Sequence, residues 1–223
     1  LKISRKELAK MIDSTLVKAT ATKSEVEKLC REAIQYGFHC VVVNPVYVKF
    51  ANGLLKNSQV KVCSTVGFPF GASLPEIKFM EATRAVEDGA EELDMVINLG
   101  LLKSGDYEAV KQDIKAVLAV KRASKEIIVK VIIESDRLSG DEKVIACKLA
   151  KEAGADFVKT STGFFGGGAT VEDVRLMRQI VGMDMGVKAA GGIRTYADAI
   201  AMIEAGANRI GTSTAVAIIM GAP

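Results

Sequence analysis

Residues 152–163 read EAGADFVKTSTG. The first eight recur in altered form as EDGAEELD at 87–94 and EAGANRIG at 204–211. In each copy an amphipathic run ends at a glycine and a short apolar run follows without a spacer. Glycine takes the positive φ that closes a helix, so each copy reads as a helix end feeding directly into a strand. Working outward from residue 152, the same alternation covers the chain. Strands are expected at 11–14, 39–44, 60–68, 92–100, 127–134, 156–162, 185–192 and 208–213. Helices are expected at 24–37 with Ser24 as cap, 47–56, 75–90, 107–123, 140–155, 170–182 capped by Thr170, 195–207 capped by Thr195, and a short closing helix at 214–220. Eight strands separated by helices are the arithmetic of a single (β/α)8 TIM barrel over residues 1–223, with a short helix before the C-terminus. An open doubly wound sheet would carry a GxGxxG turn after an early strand, and none is present.

Bulk composition narrows the function. The chain is 49% hydrophobic with a formal charge of +3, acidic and basic residues being interleaved. No basic stripe with aromatics favours nucleic acid. No 18-residue apolar stretch favours a membrane and no leader pattern opens the chain, so a cytoplasmic protein is expected. Cys30, Cys40, Cys63 and Cys147 form no CxxC pair and read as buried reduced thiols. His39 is the only histidine, so no metal site is expected. The apolar content suggests a homodimer or homotetramer.

In such a barrel the chemistry lies at the C-terminal strand ends. Lys159 and Lys188 end two apolar runs and would meet in one interior. Burying two ammonium groups is costly unless one gives up its proton, and a neutral lysine is a nucleophile for carbonyls. Period-two alternation puts Asp94, Val96 and Asn98 on one strand face, and Lys130, Ile132 and Glu134 on another. Asp94 with Lys130 reads either as part of the site or as a charge pair closing the barrel floor. A phosphate site is expected from Gly191 and Gly192 after the seventh strand and Gly211, Thr212 and Ser213 after the eighth, with Thr162 and Gly163 adding donors. The loop GFFGGGAT (163–170) reads as a gate or as a long loop, and Phe164 and Phe165 as pocket wall or as core.

The segments IDSTL, ELDMVINLG, VKVIIE, GADFVKTSTG, VKAAGGIRT and GANRIGTS resemble the deoxyribose-phosphate aldolase family along essentially the whole chain. The resemblance implies a TIM-barrel lyase that needs no cofactor or metal and reversibly cleaves 2-deoxy-D-ribose 5-phosphate to acetaldehyde and D-glyceraldehyde 3-phosphate. It implies Lys159 as the imine-forming lysine, Lys188 as the second lysine and Asp94 as the proton carrier, working through an ordered water. It also implies Lys130 as the partner of Asp94, Asp13 near the substrate hydroxyls, and Gly192 and Ser213 in the phosphate set. Cleavage is expected at C3–C4, and Lys188 is expected to lower the pKa of Lys159 by charge repulsion. The chain departs from the family pattern at Ser14, where histidine is frequent, and at Phe164, where some members carry a phosphate-binding lysine. Some members also carry a tyrosine-bearing tail where this sequence reads Met220-Gly221-Ala222-Pro223. The alternative reading is another Schiff-base barrel aldolase, or a transaldolase-like enzyme acting on a ketose phosphate.

Overall fold

The computed structural model describes residues 3–122 and 126–223. Eight parallel strands close into a barrel in chain order: β1 (Ile12–Leu16), β2 (Cys40–Val43), β3 (Lys61–Val66), β4 (Glu92–Val96), β5 (Ile128–Ile132), β6 (Phe157–Lys159), β7 (Gly186–Ala190) and β8 (Arg209–Thr212). The helices are α1 (Arg5–Ala9), α2 (Lys23–Tyr36), α3 (Val48–Leu55), α4 (Pro75–Glu87), α5 (Leu99–Lys103), α6 (Tyr107–Leu118), α7 (Gly140–Ala153), α8 (Val171–Val181), α9 (Tyr196–Glu204) and α10 (Ala215–Met220). Gly89, Gly154 and Gly206, the glycines of the three related segments, have φ of 103°, 93° and 115°. The local solution repeated in the sequence is therefore repeated in space.

Helix starts follow side-chain chemistry. Thr170 and Thr195 cap α8 and α9 as expected. At α2 the cap is Thr22, not Ser24: Thr22 accepts from the Glu25 N–H while Glu25 returns a bond to the Thr22 N–H, and the helix begins one residue earlier. Two strands are shorter than expected. β4 stops at Val96 because Asn98 leaves the strand and caps α5, its Oδ1 accepting from the Leu101 N–H at 3.1 Å. β5 stops at Ile132 and Glu134 turns into the left-handed region at φ 54°. Asn98 and Glu134 therefore do not continue the inward face of Asp94 and Lys130. The helix expected to end at residue 123 ends at Leu118 and passes into a 3-10 turn to Arg122; residue 123 lies outside the described residues.

Most of the apolar core lies between the strands and the helix ring, where Val41, Val43, Leu93, Met95, Val129, Val131, Val158 and Val187 meet Val26, Ala82, Ile114, Ala146 and Val174. One ion pair is embedded there. Lys78 of α4 and Asp113 of α6 are 2.6 Å apart and fully buried, and Lys78 also donates to the Val96 carbonyl at 2.9 Å. The barrel interior is different: it is dominated by charge.

Candidate active site

Strand register builds the centre of the barrel. Asp94 is paired with Lys130, Ile132 with Lys159, Lys159 with Lys188, and Lys188 with Arg209. Neighbours in a parallel ladder point to the same side, so these side chains converge inside. Asp94 is the hub. Its Oδ2 accepts from Lys159 Nζ and from Lys188 Nζ, each at 2.7 Å. Its Oδ1 accepts from Lys130 Nζ at 2.9 Å and from the Cys63 thiol at 3.3 Å. Asp94 thus contacts Lys159 directly, where a bridging water was expected.

Below the hub lies a second layer that strand-end reasoning missed. Lys188 Nζ sits 2.6 Å from Asp13 Oδ2, and Arg209 pairs with Asp13 at 2.8 Å and with Glu92 at 3.2 Å. Glu92 is 2.6 Å from Lys130 Nζ and accepts a contact of 2.9 Å from the half-buried His39. Asp13 was expected beside the substrate; it is fully buried under Lys188 and does not border the cavity. Glu92 and Arg209 stand at the beginnings of β4 and β8, away from the ends where catalytic groups are sought. The readable signal was a charge inside an apolar strand, the same anomaly that drew attention to Asp94. Asp13, Cys40 and Glu92 bring ligand-type atoms within 4.8 Å of one another, but Arg209 and Lys130 already serve the two carboxylates.

Burial and charge act in opposite directions on these groups. Burial alone would raise the Asp94 carboxyl, but Lys130, Lys159 and Lys188 outweigh it and hold it well below the usual carboxylate range. Burial opposes the charge on Lys188, yet Asp13 and Asp94 keep its pKa above the ordinary lysine value. Lys159 goes the other way. Burial pushes it down, Asp94 only partly restores it, and the Lys188 charge adds to the lowering. Desolvation is thus the leading cause, and the Lys188 charge acts in the expected direction beside it.

Above the charges opens a cavity of about 360 Å³. Lys159 borders it, while Lys130, Lys188 and Arg209 do not. Thr162, Gly163, Gly191, Gly192, Gly211, Thr212 and Ser213 all line it, so the expected phosphate loops face one space. Two of these have less to offer than expected. The Thr162 N–H already donates to Glu134 at 3.0 Å. The Thr212 hydroxyl donates to the Ile193 carbonyl at 2.8 Å and accepts from the Thr214 N–H at 3.0 Å. Gly211 also makes room for the interior, since a Cβ there would lie 2.9 Å from Lys188 Cε. The cavity includes two cations not anticipated as ligands, Lys18 and Arg194.

The roof joins two loops. Phe68 and Phe164 both line the cavity and meet edge to face, with centroids 5.2 Å apart. Phe70 meets Phe165 at 5.8 Å, and Arg137 stacks on Phe165 and donates to its carbonyl. Phe164 and Phe165 are therefore wall and roof, not core. The glycine run is closely fitted at its end: a Cβ on Gly168 would lie 2.4 Å from the Gly191 carbonyl oxygen, and the Ala169 N–H donates to that oxygen at 3.0 Å.

The chain that carries this site has counterparts among known proteins. The DeoC/LacD family aldolase pattern matches residues 8–221. The chain belongs to the DeoC/LacD aldolase family. It is 62% identical to the deoxyribose-phosphate aldolase of Thermococcus kodakarensis over 99% of both chains. It is 56% identical to that of Clostridium perfringens over 98% of this chain and 97% of the relative. The structure of the deoxyribose phosphate aldolase from Aeropyrum pernix, described as a unique tetramer, superposes with a TM-score of 0.91 at 39% identity, covering 97% of this chain and 91% of that one. Within this aldolase family fold, β4 to β7 carry the lysine hub, and Lys159 on β6 joins it to the cavity.

Proposed function

We propose that the chain is a deoxyribose-phosphate aldolase, reversibly cleaving 2-deoxy-D-ribose 5-phosphate to acetaldehyde and D-glyceraldehyde 3-phosphate through an imine on Lys159. One observation carries the assignment of the nucleophile. Of the four cations in the barrel interior, Lys159 is the one that borders the cavity, and it is the one whose pKa is lowered overall, because its carboxylate partner does not make up for burial.

The neutral Lys159 amine attacks C1 of the open-chain sugar, forming a C–N bond, and the carbinolamine loses water to an iminium. Asp94, touching Lys159, takes and returns the protons of these steps. The C3 hydroxyl gives up its proton, the C3 carbonyl forms, and the electron pair of the broken bond moves into the iminium to give an enamine. Carbon count puts that bond at C2–C3, correcting the C3–C4 position expected above, because acetaldehyde carries away C1 and C2 only. Protonation at C2 and hydrolysis then release acetaldehyde and free Lys159. The phosphate is held by the loops after β7 and β8, with Gly163, Gly192 and Ser213 presenting polar groups and Arg194 and Lys18 supplying the charge that Phe164 does not.

A homo-oligomer belongs to the same proposal, supported by the exposed apolar side chains Phe70, Leu74, Ile77 and Met80 at the start of α4. A reducing, cytoplasmic setting is supported by four free, buried thiols. The nucleophile is tested by incubation with substrate and borohydride followed by peptide mass spectrometry. A reduced adduct on Lys159 is expected; label on Lys188 or Lys130 with Lys159 unmodified overturns the assignment.

A further inference from the structure

We infer that Glu92 and Arg209, on the floor of the barrel and outside the cavity, control the protonation of Lys159 by fixing the charge balance of the closed interior. The inference rests on the imine reading above. Every strand contributes to the balance. Asp13 comes from β1, Cys40 from β2, Cys63 from β3, Glu92 and Asp94 from β4, Lys130 from β5, Lys159 from β6, Lys188 from β7 and Arg209 from β8. His39 touches Glu92 from the solvent side. The Cys63 thiol donates to Asp94 at 3.3 Å, and burial pushes the Cys40 thiol well above its ordinary value.

Three carboxylates therefore face four cations in a buried interior. A net charge there is expensive, so the balanced state has three of each and one neutral amine. Arginine does not give up its proton. Lys130 touches Glu92 and Asp94, and Lys188 touches Asp13 and Asp94. Lys159 has a single carboxylate oxygen, which it shares with Lys188. It is the least compensated cation, and the one that loses its proton. Removing a charge from the floor shifts the count without touching the substrate. Losing Arg209 leaves three carboxylates against two fixed cations, and protonated Lys159 restores neutrality. Losing Glu92 does the reverse.

The test compares Glu92→Gln, Arg209→Met and the double variant, following the pH dependence of borohydride trapping on Lys159 with deoxyribose 5-phosphate. Across a charge network of this kind each single change is expected to move the trapping pKa by about one unit. Arg209→Met moves it up, so trapping below the pKa falls about tenfold and recovers in alkali. Glu92→Gln moves it down. The double variant returns close to the starting profile, and Arg209→Lys keeps it. A purely structural role predicts losses that accumulate in the double variant and no opposed pKa shifts. Shifts of the same sign, or an unmoved profile with Lys159 still labelled, overturn the inference. Absence of label on Lys159 in the unaltered protein instead overturns the imine reading. Should Arg209→Met not fold, the direction of the shift in the near-isosteric Glu92→Gln decides the matter alone.

Discussion

Lys188→Met separates the two causes that depress Lys159. Both nitrogens lie 2.7 Å from the same Asp94 oxygen, so they are no more than about 5.4 Å apart, twice that distance. At an effective dielectric of about 20, unit charges about 5 Å apart repel by about 3 kcal/mol, or just over two pKa units. Removing the Lys188 charge also leaves Asp13 and Asp94 less compensated, which favours the protonated form of Lys159 further. Both effects have one sign. The acid limb of the trapping profile should move about two units toward alkali. At a pH below the altered pKa the rate should fall about a hundredfold and return as pH rises. The assay is single-turnover borohydride trapping with substrate, normalised to folded protein by circular dichroism. An unchanged trapping pKa in the folded variant refutes the repulsion argument and leaves desolvation as the sole cause.

Asp94→Asn should cost about 3–5 kcal/mol at neutral pH by breaking the buried network. Because the folded carboxyl is held below its unfolded value, its stabilisation is complete above about pH 3.9 and is lost as pH falls toward the folded pKa. Urea melts of Asp94→Asn at pH 7 and pH 3 should therefore differ less than those of the parent, and an equal difference refutes this linkage. Ser213→Asp puts a carboxylate on the cavity wall and should abolish the preference for the phosphorylated sugar while changing deoxyribose turnover much less. A retained preference would move the phosphate elsewhere. Lys78→Met strands the Asp113 carboxylate between α4 and α6 and should lower stability by about 3–5 kcal/mol. Adding Asp113→Leu should recover part of that loss in thermal melts, and a fully additive double variant would contradict the pairing argument.

The barrel was readable because its signals are local. A glycine at φ 93° closing α7 and a short strand directly after it depend only on neighbouring residues. The same holds for Lys159, a charge inside an apolar run. Local reading failed where two local solutions compete. Thr22 and Ser24 each stand three residues before a glutamate, and the chain uses the first. After Val96 the apolar pattern continues, but Asn98 makes a cap and ends the strand. The lower charge layer was not legible, since Arg209 meets Glu92 across the closed barrel, 117 positions apart in sequence. The place of Asp13 beneath Lys188 likewise depends on closure, which sets β1 beside β8.

The roof over the cavity is fastened by ring edges and one arginine, whereas the charges beneath are fastened by strand register. The two parts answer to different mutations. Substitutions at Phe68, Phe164, Lys18 or Arg194 leave the pairing of β4 to β8 untouched, so acceptor range can drift in descendants of this chain without disturbing imine formation. Directed evolution toward new aldehyde acceptors has its accessible positions in those loops, and its forbidden ones on the strands below.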